Sequence, residues 1–101
     1  MEYTVHKSSD QLYIQMNGSF TFDDNGGFRE IIETMLETPA IPLILDLYHI
    51  DFVDSAALGM LLILREEAQK TGTAITLMKP AGQPKKMIEL SQFHKLFTIT
   101  E

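Results

Sequence analysis

His49, Asp51, Asp54 and Ser55 lie close together in the stretch "HIDFVDS" and carry the groups from which a hydrolytic triad is built. A serine would attack, a histidine would take its proton and an aspartate would hold the ring. Proximity along the chain does not make that geometry, and no G-x-S-x-G elbow exposes Ser55 on a strained turn. An aspartate directly before a helix is explained by capping, since its oxygen satisfies an N–H that the helix leaves unpaired. A second acidic stretch, "DDNGG" from Asp23, invites a calcium or phosphate reading. It fails the D-x-[DN]-x-[DN]-G pattern and carries Thr34 where a closing glutamate belongs, so a turn and a helix cap account for it. His6, His49 and His94 are scattered without ligand spacing, and cysteine is absent, so no metal site and no thiol nucleophile are expected. No Gly-x-x-x-x-Gly-Lys loop is present, which leaves nucleotide binding and catalysis as the weakest readings, with no cofactor.

The elements that must position "DFVDSAALG" follow from periodicity. "YTVHK" and "QLYIQMNG" alternate apolar and polar residues around the turn-forming "SSD", the pattern of a hairpin. "SFTFDDNGG" then breaks the strand, with Asp24 or Asn25 as cap for a helix "FREIIETMLET". Its Phe28, Ile31, Ile32, Met35 and Leu36 share one face, and it stops before Pro39. "PLILDLYHI" is nearly continuously apolar, which predicts a central strand covered on both faces. Asp54 caps a second helix over "SAALGMLLILREEAQKTG", ended by Gly72; Gly59 inside it suggests a close helix contact. A strand "TAITLMK", a helix "GQPKKMIELSQF" with Pro84 in its first turn and a strand "LFTIT" complete the order ββαβαβαβ. The fold class is α/β, a mixed, mostly parallel sheet in one domain over residues 1–101.

Bulk properties narrow the partners. A net charge of −6 repels phosphate backbones and anionic lipid, which argues against nucleic acid and membrane surfaces. The start "MEYTVHKSSD" lacks the basic-then-apolar order of a secretory signal, so cytoplasm is the expected location. Lys85, Lys86 and Lys95 make the C-terminal third locally less acidic, and a solvated helix face is favoured over a small basic patch as the account of them. Met60 to Leu64 cover too many helix directions for one buried stripe, which predicts an apolar surface left for a protein partner. At the helix start, unpaired N–H groups and the positive dipole end favour an anion, while small side chains keep the surface open to a docking protein. A phosphoryl group there would add about −1.5 to −2 charges and turn a flat patch into one that a partner rejects.

"LILDLYHIDFVDSAALGMLLILREE" resembles the signature segment of STAS domains, specifically the single-domain bacterial anti-sigma factor antagonists. "LYIQMNGSF" is similar to that family's second strand, and "TAITLMKPAGQPKKMIELSQFHKLFTI" to its closing strand, helix and strand; the usual C-terminal helix is absent. The resemblance implies a non-enzymatic domain that binds an anti-sigma factor, often a serine kinase, and so frees a sigma factor. Phosphorylation would break the complex and a phosphatase would restore it. The family motif D-S-S/T-x-L-G takes phosphate on its second hydroxyl, which here is Ala56, with Ser55 as the adjacent hydroxyl. A natural antagonist without this switch, a displaced site at Ser55 and an engineered replacement all remain open, loss or replacement being favoured over displacement. The implied contact set is Asp54, Ser55, Ala56, Ala57, Leu58 and Met60. A STAS adaptor subunit of a transporter or sensory scaffold is the alternative. Monomer or weak homodimer is expected, because a missing terminal helix would uncover apolar sheet surface.

Overall fold

The computed structural model describes residues 1–101 and has the predicted order. β1 (Glu2–Lys7) and β2 (Leu12–Phe20) form the antiparallel hairpin, in register from Glu2 opposite Asn17 to Lys7 opposite Leu12. α1 (Asn25–Leu36), β3 (Leu43–Val53), α2 (Ser55–Thr71), β4 (Ile75–Met78), α3 (Gly82–Leu90) and β5 (Thr98–Thr100) follow. The sheet order is β1-β2-β3-β4-β5, with β2 to β5 mutually parallel and β3 in the centre.

That order decides where the helices go. From β2 to β5 each crossover steps one strand in the same direction, and right-handed crossovers then place every helix on the same face. Leu12, Ile14, Met16, Leu43, Leu45 and Leu77 on that face join Ile31, Leu61 and Ile88 of the three helices in a single core. The central strand is therefore covered on one face, not two as its apolar run suggested. On the other face Thr4, His6, Asn17, His49, Thr98 and Thr100 meet solvent. Asp46 is buried there with its carboxylate satisfied by two donors, the Tyr13 hydroxyl from β2 and the Tyr48 backbone N–H. Apart from exposed Tyr48 and Phe52, the apolar side chains on this side are half-buried Tyr13, Ile44 and Met78.

Other boundaries also move. β2 runs through Gly18, whose φ of +91° sits at a register shift against β3, and ends only at Phe20. "NGG" forms the first turn of α1 and is not a loop. Asp24 precedes that helix but does not cap it by side chain. Its carboxylate accepts from the Thr21 N–H at 2.8 Å and from the chain ammonium of Met1 at 2.9 Å, holding the 3-10 turn Phe22–Asp24. Gly72 ends α2 in the left-handed conformation at φ +67°, as predicted. A Cβ at Gly59 would meet nothing within 4 Å, so no close helix contact explains that residue.

Candidate functional site

The end of β3 hands over to α2 at Asp54, and three side-chain to backbone links fix the junction. Asp54 Oδ1 accepts from the Ala57 N–H at 2.8 Å, the N-cap predicted from sequence. Its Oδ2 accepts from the Phe22 N–H at 3.1 Å, so one carboxylate moors both α2 and the 3-10 turn beside it. From the opposite side, Gln83 at the start of α3 forms a reciprocal pair with the Val53 backbone. Its Oε1 accepts from the Val53 N–H at 2.8 Å and its Nε2 donates to the Val53 carbonyl at 2.9 Å. β4 pairs with β3 only up to Asp46, so the Gln83 amide stands in for the missing neighbour at the far end of the strand. Gln83 acts across thirty residues, and no local pattern could reveal it.

Helical phase then sorts the residues of α2. Ala57, Leu61, Leu64 and Ala68 form the buried stripe, and Leu58 and Met60 flank it with little exposure. Three of the residues anticipated as partner contacts, Ala57, Leu58 and Met60, therefore face or border the core. Ser55 is exposed, while Asp54 and Ala56 are half-buried. The outward face continues through Gly59 to Leu62 and Ile63, which are 41 % and 53 % exposed. Phe22, 67 % exposed on the moored turn, and Phe52 near the end of β3 add aromatic surface at the same end of the sheet. Ile63 also lines a cavity of about 200 Å³ between α1 and α2, whose wall sets Phe28, Ile32 and Leu36 beside Arg29, Glu33 and Glu67. The apolar surplus predicted for residues 60 to 64 is thus real, but its solvent-facing members are Leu62 and Ile63.

No triad assembles here. Both Asp54 oxygens are taken by backbone N–H groups, Asp51 accepts from the Ser19 hydroxyl at 3.3 Å, and Ser55 has no hydrogen bond to His49. No group of three or more His, Cys, Asp or Glu side chains is placed to hold a metal ion. No helix is long and apolar enough to cross a membrane. The continuous strand order also removes the reversal point at which open parallel sheets form a ligand crevice. What remains is an exposed hydroxyl, two small residues and an apolar rim on a rigid helix start. That surface suits protein contact.

Comparison with known proteins agrees with this architecture. The STAS domain family model matches residues 2–101. A STAS-domain containing protein of Pseudomonas aeruginosa (strain UCBPP-PA14) is 35 % identical over 102 residues, covering 99 % of this chain and all of the relative. Among solved structures, a candidate anti-sigma factor antagonist of Thermotoga maritima superposes with a TM-score of 0.87 at 15 % identity, over 98 % of this chain and 86 % of that one. An anti-sigma factor antagonist of Mycobacterium paratuberculosis gives 0.79 at 20 % identity, over 98 % and 84 %. The antagonist SpoIIAA of Bacillus, in its unphosphorylated form, gives 0.74 at 18 %, over 99 % and 87 %. With a family model spanning nearly its whole length and a relative matched end to end, the chain belongs to the STAS-domain family.

Proposed function

We propose that this protein is an anti-sigma factor antagonist: it holds an anti-sigma factor at the start of α2 and so leaves a sigma factor free for transcription. The observation that carries the reading is exposed Ser55 beside half-buried Ala56, moored by Asp54 and Gln83 and bordered by exposed Phe22, Leu62 and Ile63. Asp54 sets the backbone, Ser55 and Ala56 permit close approach, and the apolar rim supplies buried area. This function needs no catalytic group. If the family motif carries over, its phosphoacceptor position is Ala56, and alanine offers no oxygen, so on this reading the docking surface is not switched off by phosphorylation at that residue. A kinase partner would bind without inactivating it, and a phosphatase would have no substrate at position 56.

The test is a binding titration of the cognate anti-sigma protein against the wild-type chain and Ala56→Ser, each before and after incubation with that protein's kinase activity and ATP. Wild type should bind equally in both states, whereas Ala56→Ser should bind only before treatment. Equal affinity of Ala56→Ser in both states, with phosphate shown on residue 56 by mass spectrometry, would overturn the switch. Unchanged binding by Leu62→Ser and Ile63→Ser together would overturn the placement of the surface.

A further inference from the structure

At the opposite end of the sheet, a concavity opens between the second half of α2, the start of β4 and the segment leading into β5. Its volume is about 390 Å³, at the lower end for small-molecule sites. Arg65, Gln69, Thr73, Lys95, Phe97 and Thr98 line it, together with small and aliphatic residues, and no carboxylate does. In a chain of net charge −6 that is a local reversal of sign. Lys7, Lys70 and Lys85 pair with glutamates, while Arg65 and Lys95, like Arg29, Lys79 and Lys86, have no ion-pair partner; Arg65 and Lys95 are set apart because they share a concavity that no carboxylate lines.

The arginine is also held in place. Arg65 Nε donates to the Leu96 carbonyl at 3.0 Å, which fixes the plane of the guanidinium and leaves its terminal N–H groups without a protein acceptor. The Lys95 ammonium, the Gln69 amide and the Thr98 hydroxyl likewise have no hydrogen-bond partner in the chain. A planar fork and a point charge on one cleft match an oxyanion with several acceptor oxygens. The apolar part of the wall, with Phe97, leaves room for an organic body beside the anion.

We propose that this cleft binds a small phosphate monoester, with Arg65 and Lys95 on the phosphate and Gln69 and Thr98 as hydrogen-bonding neighbours. The site is independent of the docking surface on α2, and its test does not involve the anti-sigma protein. Glucose 6-phosphate, inorganic phosphate and glucose are titrated at constant ionic strength, and binding is followed by backbone amide chemical shifts. Both phosphates should give saturable shifts confined to residues 65–76 and 93–98, and Lys95→Gln should weaken each by roughly tenfold, as loss of one charge-assisted hydrogen bond requires. Lys95 is exposed, so that variant keeps the fold; Arg65→Gln, checked by its amide spectrum, should abolish saturation. Shifts that match those of sodium chloride, binding of glucose as tight as its phosphate, or unchanged affinity in Lys95→Gln would each overturn the proposal.

Discussion

Replacing Asp54 by alanine removes the acceptor from two backbone N–H groups at once, those of Ala57 and Phe22. The first is a helix N-cap, and losing it costs about 1 kcal/mol. The second belongs to an exposed residue, so water takes over the N–H and the loss stays near the lower limit for a hydrogen bond, about 0.5 kcal/mol. The sum of about 1.5 kcal/mol corresponds, for a domain of this length, to a fall in Tm of roughly 6–12 °C. Asp54→Asn retains an oxygen for Ala57 but presents an amide to Phe22, so its cost should be under about 1 kcal/mol. Ser55→Ala removes a hydroxyl that has no partner and should stay within about 0.5 kcal/mol of wild type. Urea unfolding followed by circular dichroism separates the three, provided the m-values agree. If Asp54→Ala unfolds at the wild-type midpoint, or Ser55→Ala costs as much as Asp54→Ala, the mooring role assigned to this carboxylate is wrong.

Three other perturbations probe the frame around the site. Gln83→Met keeps most of the side-chain volume but leaves the part-buried Val53 N–H and carbonyl without partners, so unfolding should show a loss of about 1–3 kcal/mol and hydrogen exchange should quicken at Val53. Partial burial pushes the Asp24 carboxyl up, but the Thr21 N–H and the chain ammonium outweigh it and hold it below its ordinary 3.8. A depressed carboxyl stabilises the fold above its unfolded value and loses that contribution as pH falls through the native one. Stability should therefore decline in acid below about pH 4, and Asp24→Asn should flatten that decline in urea titrations. The Tyr13 phenol is raised above 10.0 by its hydrogen bond to Asp46, then by burial and by the carboxylate charge. Its contribution holds below the unfolded value and disappears as pH rises through the native one, so phenolate absorbance should show a late-ionising group that Tyr13→Phe removes.

The hairpin and α1 were legible because their apolar residues keep a clear period, and the α2 boundaries were legible because Asp54 and Gly72 are strong local signals. What failed depended on distant partners. The run "LILDL" reads as buried on both faces, yet Asp46 takes its side-chain partner from Tyr13 on β2, and the helices lie on one side because the strands never reverse order. "NGG" reads as a breaker, but helix propensity is a weak prior that packing of Phe28 and Ile31 overrides. The burial of Ala57, Leu58 and Met60 was open to sequence reasoning in part. Turning the α2 sequence through 100° per residue puts Ala57 with Leu61, Leu64 and Ala68, opposite Ser55, Leu62 and Ile63. The contact set followed the family motif, and half of it, Ala57, Leu58 and Met60, packs the helix down.

That distinction can be tested at position 56 itself. Ala56 lies in the first turn of α2, where the Ser55 and Ala56 N–H groups have no acceptor in the chain. A carboxylate placed there meets the positive end of the helix, a gain of about 0.3–1 kcal/mol. Repulsion from Asp54 offsets it by about 0.5 kcal/mol, since both groups are partly solvated. Ala56→Asp should then fold within about 0.5 kcal/mol of wild type, so negative charge at this residue is no threat to the domain. On the proposed reading it is a threat to the complex, because the charge would be carried beneath an apolar partner surface with no cation of this chain among the residues that moor the site. Normal urea unfolding combined with loss of anti-sigma binding is the expected result for Ala56→Asp. Retained binding would mean that the helix start lies outside the interface, whereas a destabilised fold would mean that the helix end does not carry the field assigned to it.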